Sequence, residues 1–284
     1  MYLSAQQLVV ANQAVVETFE TTSIAWQVLP HWNVGDPGQS RVRDDVVNNP
    51  GFLNLELLQI PFQLTLAQTS APSTDSLVAE STKYATDLAD QFDLYVLYWL
   101  GVYAWVTNKI DFNSTTQEVL LQNLIDARAI IEDAGYRSPS CLITNTQGLK
   151  DLSSLKSSGY PIVEALLEAA NVYSLHRTSL YEFIVDAVDD HGAPTVGPDG
   201  NPVPKPRAVM VMLGRRQLIA HGAAMNASPG EEPVDLAVSV LPSLEVVGEG
   251  PGSQIELSAR IRFALRVKDP KALVLLWGTP VYMP

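Results

Sequence analysis

The spacing of apolar residues predicts three helices in the first half of the chain. Residues 3 to 20 place apolar side chains at helical spacing on one face, at Leu8, Val9, Ala11, Ala14, Val15 and Phe19. Residues 74 to 100 repeat apolar positions every three, four or seven residues, which predicts a helix about 40 Å long that Gly101 interrupts. A third helix follows Ser114 and ends at Gly135, because glycine suits a helix C-terminus.

The segment between the first two helices has the composition of turns and short strands. Residues 31 to 52 are rich in Gly, Pro, Asn and Asp, which predicts a long two-stranded hairpin with turns at 35–38 and 48–51. The following residues partly alternate up to Leu66, and Pro61 restricts them to an edge strand or an irregular one. A hairpin of this size cannot bury both faces on itself. We therefore expect it to lack a partner within the chain and to need another surface, for example on another chain.

From Ser140 onward the chain alternates short strands and helices. The pattern predicts helices at 147–155 and 161–170, and strands at 141–144, 181–188, 207–213, 235–241, 244–248, 255–267 and 272–276. Residues 189 to 206 form a loop dense in Pro and Gly, with a PDGN turn at its tip. The order of elements predicts an α+β fold with one very long helix and an exposed hairpin arm.

Composition narrows the classes of protein that the chain can belong to. With 284 residues and 46% hydrophobic residues, the chain can form one large domain or two modest ones. Charged residues make up 17%, against about 25% in typical domains, so we expect less of the surface to face water than in a monomer. The net charge of −13 argues against a basic face that grips nucleic acid. No run approaches the roughly 18 apolar residues of a membrane helix.

Motifs of enzyme chemistry are missing from the sequence. It contains no phosphate-binding glycine loop and no nucleophile elbow, and its four histidines show no metal-ligand spacing. Asp189, Asp190 and His191 form the one tight carboxylate–histidine cluster, but the neighbouring Gly192 favours a solvated turn over a metal site. The single Cys141 excludes an internal disulfide framework, and we expect it to be a small buried residue. No catalytic residue, metal or cofactor is expected.

Two further patterns allow a binding interpretation and a structural one. Arg260, Arg262 and Arg266 alternate on one strand, which allows a phosphate-facing stripe, but the nearby Glu256 and Asp269 favour ordinary ion pairing. The aromatic residues between 93 and 106 resemble a stacking platform, but their helical spacing favours the packing face of the long helix. In both cases we expect the structural interpretation.

Several motifs follow one another in a specific order. A helix ending in DAGY precedes the strand and short helix of CLITNTQGLKDL, then the SSGYPIVEALLE helix start, a strand around NVYSLHRTSL and the closing FALRVKDPKALVLL. The segment TDLADQFDLYVLYWLG lies upstream. This order resembles the tailed-phage major capsid and encapsulin family, in which the upstream segment is the spine helix. The matching residues are Gly135, Asn145, Leu149, Gly159, Tyr160, Pro161, Phe263, Arg266, Val267, Pro270 and Ala272.

The resemblance covers most of residues 74 to 284 and implies the α+β tailed-phage major capsid fold. In that fold, residues 1–30 are the N-terminal arm and 31–71 the extended hairpin loop. Residues 72–137 and 247–284 are the peripheral domain with the spine helix, and 138–246 are the axial domain. After the N-terminal helix the chain reads ETTSIAWQVLPHWNVGDPGQSRV. This segment lacks the Val-Asp-x-x-Gly-Pro-x-Gly pattern of encapsulins and looks more like phage capsid proteins.

The function that the resemblance implies is structural. The chain is expected to self-assemble into an icosahedral shell around a double-stranded DNA phage genome; the alternative is an encapsulin shell around a protein cargo. A hydrolase-like enzyme is a third hypothesis, which lacks a catalytic dyad. The implied partners are copies of the chain in pentamers and hexamers, with scaffold, portal and cementing proteins and weakly held DNA, but no membrane. The implied location is the virion, after assembly in the bacterial host cytoplasm. A separate scaffold, a removed scaffold segment and no scaffold all remain open.

The resemblance also assigns roles to two loops. Charged residues near the hairpin tip are expected to form ion pairs between subunits: Arg41, Arg43, Asp44 and Asp45. The loop at 189–206 is expected at the capsomer axis, with Asp189, Asp190, Pro198, Gly200 and Lys205 around it. Some family members cross-link a lysine of the extended loop, but the first lysine here is Lys83 in the long helix. The shell is therefore expected to be non-covalent.

Overall fold

The computed structural model describes residues 3–46, 50–65, 75–112, 117–153, 163–181, 183–186, 204–217, 232–250 and 254–278. The helices are α1 (Ala5–Thr22), α2 (Ile24–Val28), α3 (Asp75–Thr107), α4 (Gln117–Asp133), α5 (Thr146–Leu152) and α6 (Val163–Ala169). The strands are β1 (His31–Asn33), β2 (Arg41–Arg43), β3 (Phe52–Asn54), β4 (Glu56–Thr65), β5 (Lys109–Phe112), β6 (Tyr136–Thr144), β7 (Val172–Arg177), β8 (Phe183–Asp186), β9 (Pro204–Gln217), β10 (Val234–Gly250), β11 (Gln254–Val267) and β12 (Leu273–Gly278).

The chain forms two compact units. The first contains Met1–Leu97 and Val234–Lys268, and the second contains Tyr98–Pro233 and Asp269–Pro284. These two units differ from the domains proposed from the sequence. One proposed domain boundary, between residues 246 and 247, falls within β10. The assignment of axial and peripheral domains stays a prediction.

The first unit begins with a helix whose start is fixed by two reciprocal hydrogen bonds. The backbone N–H of Gln7 donates to the Ser4 hydroxyl at 3.2 Å, and the backbone N–H of Ser4 donates to the Gln7 side chain at 2.9 Å. This capping box satisfies two backbone groups that a helix N-terminus otherwise leaves without partners. The predicted helix over 3–20 is thereby confirmed as α1, which ends two residues later than expected.

The main sheet of the first unit has the strand order β1-β10-β11-β4. Strand β4 is the outer strand among the described residues, which confirms the edge position predicted from Pro61. The segments predicted as separate strands at 235–241 and 244–248 are one 17-residue strand, β10. Its pairing with β11 shifts register between Val240 and Ser243, so Pro242 lies where the ladder is already interrupted.

Aromatic rings form the centre of the first unit. The Phe92 ring of α3 lies 5.2 Å from that of Phe19 in α1 and 4.6 Å from that of Phe263 in β11, both in edge-on geometry. All three side chains are fully buried. Offset and edge-on ring pairs are favourable beyond the area they bury. Phe263, one of the residues that carries the family resemblance, is therefore a core residue that joins α3 to the sheet.

The second unit contains the strand order β5-β12-β9-β6-β7, with β8 paired to β9. Helices α4, α5 and α6 contribute to its core, together with Leu142, Met212 and Val274 from the sheet. Helix α4 stops before Gly135, whose φ of +92° lies in the left-handed region that favours glycine. This confirms the predicted end of that helix.

The long helix does not stop at Gly101, contrary to the prediction. Helix α3 has 33 residues and is about 50 Å long. Glycine inside a helix costs about 1 kcal/mol relative to alanine. Burial of Leu100 and Ala104 on either side of Gly101 outweighs that cost. A Cβ at Gly101 would lie 3.4 Å from the Tyr181 ring, which is ordinary van der Waals contact, so the packing leaves room for alanine at this position. No helix in the described part of the chain is long and apolar enough to cross a membrane.

Candidate functional site

The hairpin predicted to contact other subunits is formed by β2 and β3, and its apolar face packs on its own unit. The strands pair in antiparallel register, with Val42 opposite Leu53. Val42 and Leu55 are buried together with Ala237 of β10 and Ala264 of β11. The expectation that the hairpin lacks a partner within the chain is therefore wrong for its apolar face. The short alanine side chains leave room on the sheet face for the hairpin's apolar residues.

The charged residues of the hairpin all contact groups of their own chain. The Arg41 side chain donates to Asn54 at 3.1 Å, and the Asp44 carboxylate accepts the Gly51 N–H at 2.6 Å. The Arg43 guanidinium lies 3.4 Å from the Asp45 carboxylate, and both side chains are largely exposed. The Asp44 bond closes the turn by fixing the backbone across it. Ion pairs of these four residues with another subunit stay a prediction.

Asp45 also reaches a buried group of charges, the Asp235 cluster, which consists of Asp235, Arg266 and Lys268. Two nitrogens of the Arg266 guanidinium donate hydrogen bonds to the Asp235 carboxylate, at 2.6 and 2.7 Å. Lys268 contacts the same carboxylate at 2.7 Å. The remaining terminal nitrogen of Arg266 donates to Asp45 at 3.0 Å. The two parallel hydrogen bonds from the Arg266 guanidinium to the Asp235 carboxylate are among the strong hydrogen-bonding geometries of proteins.

The three alternating arginines of β11 make contacts within the first unit, as the structural interpretation predicted. Arg260 pairs with Glu245, Arg266 pairs with Asp235, and Arg262 donates to the Pro37 carbonyl at 3.0 Å. The expected partners are wrong, because the neighbouring strand β10 supplies the carboxylates across the sheet. Glu256 instead accepts from Gln63 at 3.1 Å, and Asp269 accepts from the Tyr136 hydroxyl at 2.6 Å.

Asp93 of α3 links the N-terminal segment to the long helix through three hydrogen bonds. Its carboxylate accepts the Ser23 hydroxyl at 2.6 Å, the Ile24 N–H at 2.8 Å and the Ala25 N–H at 3.0 Å. It thereby caps the N-terminus of α2, where backbone N–H groups have no helical partner. Burial raises the pKa of Asp93 above its ordinary value, against the opposing effect of these hydrogen bonds, and the nearby charge of Asp90 raises it further.

Replacing Asp93 with asparagine is expected to change how thermal stability depends on pH. Because the pKa of Asp93 is higher in the folded chain than in the unfolded chain, binding of a proton to Asp93 stabilises the fold. This contribution is fully present at a pH below the ordinary pKa of 3.8, and it is lost as the pH rises through the pKa of the folded chain. The wild type should therefore gain stability relative to Asp93→Asn as the pH is lowered from 7 to 4. Melting temperatures of the two proteins across this range measure the difference. The exposed Asp87→Asn is the control, and a difference independent of pH would contradict the assignment.

The aromatic residues in the second half of α3 are largely exposed, so their predicted role as a packing face is wrong for all but Tyr95 and Trp105, whose rings contact the buried Phe263 and Trp277 edge-on. Tyr98, Trp99, Tyr103, Trp105 and Val106 are exposed, whereas Val96, Leu97, Leu100 and Ala104 are buried. Both faces of this part of the helix are apolar, and periodicity does not tell which of two apolar faces lies inside. A run of exposed apolar side chains is typical of a contact surface.

Most of the predicted capsomer-axis loop lies outside the described residues, namely Asp189, Asp190, Pro198 and Gly200. Lys205 lies in β9, where its backbone pairs with Val185. The loop therefore ends before Pro204, earlier than the expected residue 206. Among the described residues, no group of three or more His, Cys, Asp or Glu side chains could hold a metal ion. Cys141 is buried in β6, as predicted.

Sequence reasoning missed Asp93, Asp235 and Lys268. A signal for Asp93 was present, since it is a lone carboxylate beside Phe92 on the apolar side of the long helix. Asp235 similarly is the second residue of β10, where Val234 to Val238 are all buried. Carboxylates at such positions are almost never buried without partners.

Solved structures match the chain over nearly its whole length. A virus-like particle from Pyrococcus furiosus matches with a TM-score of 0.66 and 17% identity, over 96% of this chain and 98% of that chain. A phage-related protein from Bordetella bronchiseptica matches at 0.61 and 10% identity, over 93% and 96%. A protein of Microbacterium phage Oxtober96 matches at 0.59 and 10% identity, over 91% of each chain. No family model and no curated protein sequence matches the chain. The chain therefore has the α+β capsid fold found in phage and virus-like-particle proteins, as the order of its motifs predicts.

Proposed function

We propose that this chain is a structural capsid protein that self-assembles into an icosahedral shell around a double-stranded DNA phage genome. The observation that carries the proposal is the match to the virus-like particle, which spans 96% of this chain and 98% of the other. The exposed aromatic side of α3 and the low charged fraction of 17% support it, because both suit a surface covered by other subunits.

Electron microscopy of the purified full-length chain tests this proposal. Closed particles of uniform size are expected, and a chain that stays monomeric or dimeric at high concentration would contradict it. The content of particles from the natural source separates the two kinds of shell. Nuclease-protected double-stranded DNA supports the phage capsid, whereas a co-purified enzyme supports an encapsulin-like compartment.

Within such a shell, two regions are proposed to contact other subunits. Arg41 and Arg43 at the hairpin would form ion pairs with a neighbouring copy, each worth about 1 kcal/mol or less when exposed. The loop at 189–206 would lie at the capsomer axis of pentamers and hexamers. The further partners proposed for this chain are scaffold, portal and cementing proteins. The proposed location is the assembled virion. The proposed role is structural, without catalytic activity.

DNA contact inside the shell is proposed to be weak and independent of sequence. The net charge of −13 leaves few cations to neutralise phosphates. Arg260 and Arg266 already pair with carboxylates of their own chain, which further reduces the positive charge that β11 offers to DNA.

The proposed shell is expected to be held together without covalent bonds. The hairpin carries arginines but no lysine, and the guanidinium stays protonated and is a poor nucleophile. Cys141 is buried and is the sole cysteine, so it cannot form a network of disulfides. Particles boiled in detergent without reductant should therefore run as a single band near 30.9 kDa. A ladder of larger species under these conditions would show that subunits are cross-linked.

A further inference from the structure

The second half of α3 presents an apolar side that carries no charge. Five of its side chains are between 40% and 77% exposed and define the α3 stripe: Tyr98, Trp99, Tyr103, Trp105 and Val106. At about 100° per residue, they share one half of the helix circumference, whereas Leu100 and Ala104 on the other half are buried. No Asp, Glu, Lys or Arg occurs between Asp93 and Lys109. The α3 stripe is therefore apolar and uncharged over its whole length.

The rings of the α3 stripe are ordered by contacts within the chain. Tyr98 and Trp99 meet edge-on with 5.5 Å between their ring centroids, and the centroid of Trp99 lies 6.3 Å from that of Tyr103. Trp105 packs edge-on against the buried Trp277, with 5.3 Å between the centroids. Side chains that are held in place before binding lose less conformational entropy on association. The stripe is therefore suited to contact a protein surface.

The exposed area of the α3 stripe fits a contact that is weak by itself. From the exposed fractions, its five side chains present about 500 Å² to water. This area lies in the upper part of the range for the largest apolar patch of a monomer, about 300 to 600 Å². A stable interface of standard size buries about 800 Å² on each partner. A contact through the stripe therefore becomes strong only when other contacts of an assembly form with it.

Charge indicates that the partner is a second copy of the chain. The net charge of −13 makes two copies repel each other over most of their surfaces. The uncharged α3 stripe is a place where two copies can approach without this repulsion. Nucleic acid fits the stripe less well, because phosphates require cations, and the adjacent Lys109 already pairs with Asp111 at 3.0 Å.

We propose that the α3 stripes of two copies pack against each other as an antiparallel pair centred on Val102, a contact that rests on the proposed self-assembly. A two-fold contact uses the same patch on both copies, so an apolar, uncharged patch is complementary to itself. The antiparallel direction keeps the exposed Asp87 and Asp90 of the two copies apart, whereas a parallel pair brings these like charges together. Val102 lies midway between Tyr98 and Val106 and thereby marks the two-fold axis.

Disulfide trapping tests the position of the axis. In a Cys141→Ala chain, Val102→Cys should form a linked dimer under mild oxidation, because the two introduced thiols meet at the axis. If Cys141→Ala does not fold, the natural chain replaces it, since its Cys141 is buried. Gln91→Cys is the matched control, because Gln91 is exposed on the same helix but far from the axis. Absence of the dimer from Val102→Cys, or an equal yield from Gln91→Cys, would overturn the proposal.

A mixture of two variants tests the direction of packing. Antiparallel packing about Val102 places Tyr98 of one copy opposite Val106 of the other. An oxidised mixture of Tyr98→Cys and Val106→Cys chains, one of them carrying a tag that changes its mass, should therefore give mainly the mixed dimer. A parallel pair would link each variant with itself. Self-linked dimers in place of mixed dimers would overturn the antiparallel arrangement.

Loss of the exposed rings should weaken assembly while the subunit still folds. Tyr98→Gln together with Trp99→Gln should raise the chain concentration at which assembly begins by about tenfold, because aromatic side chains carry much of the binding energy of an interface. Tyr98→Phe keeps its ring and is the control, which should assemble as the wild type does. An unchanged concentration in the double variant, with a wild-type circular dichroism spectrum, would overturn the proposal.

The same experiments separate the helix pairing from the proposed function. Closed particles that form without the Val102→Cys cross-link would overturn the pairing and leave the shell-forming function in place. Cross-linked dimers that never close into particles would support the pairing and contradict the shell-forming function.

Discussion

Replacing Asp235 with asparagine is expected to destabilise the first unit more than any surface substitution. The change removes the carboxylate that both Arg266 and Lys268 contact, so among the described residues the buried Arg266 guanidinium keeps only the half-exposed Asp45 as a carboxylate partner. Breaking a buried ion pair in this way costs about 3 to 5 kcal/mol. Because domains are stable by only about 5 to 15 kcal/mol, a large part of the stability should be lost.

Thermal or denaturant unfolding followed by circular dichroism measures this loss. Glu249→Gln is the control, because Glu249 lies on the same strand but is exposed, and it should change stability little. If Asp235→Asn unfolds at the wild-type denaturant concentration, the cluster does not stabilise the unit in the way its contacts indicate.

Deleting residues 36 to 50 is expected to abolish the formation of complete shells while the subunit still folds. The deletion removes Arg41 and Arg43, the residues proposed to contact a neighbouring copy, and it leaves Gly35 and Gly51 to form the joint. It also removes Asp45, which contacts Arg266, and Val42, which is buried against Ala237 and Ala264, so folding of the subunit is measured alongside assembly. Electron microscopy should show incomplete particles or free subunits.

The matched control for the deletion is Asp45→Asn in an otherwise intact hairpin. This control also lacks the ion pair between Asp45 and Arg266, so a difference in assembly between the two proteins comes from the rest of the hairpin. Circular dichroism should show the same secondary structure in both. Normal particles from the deletion would mean that the hairpin is dispensable for assembly.

The sequence predicts the order of elements well because that order depends on local patterns. Apolar spacing locates α1 and α4, and turn residues locate the hairpin between α2 and β4. Gly135 correctly marks the end of a helix because its positive φ is a local requirement. Gly101 does not end the helix because the burial of Leu100 and Ala104, which depends on tertiary packing, keeps the helix continuous.

The contacts that organise the first unit could not be predicted in the same way. Arg266 is recognisable as part of a motif, yet its partners Asp45 and Asp235 lie 221 and 31 residues away in the sequence. Proximity in sequence predicts Asp269 as the partner instead. Which carboxylate lies beside an arginine depends on strand pairing, and the pairing of β10 with β11 is known only from the fold.

The outward-facing aromatic residues of α3 give the chain a natural optical signal. Of its five tryptophans, Trp99 and Trp105 are exposed on this helix, whereas Trp26 and Trp277 are buried. Indole emission shifts to shorter wavelength when the ring leaves water. The intrinsic fluorescence of the unlabelled chain therefore reports whether this side of α3 is exposed to water or covered. The emission wavelength measured over a dilution series would show the concentration at which that change occurs.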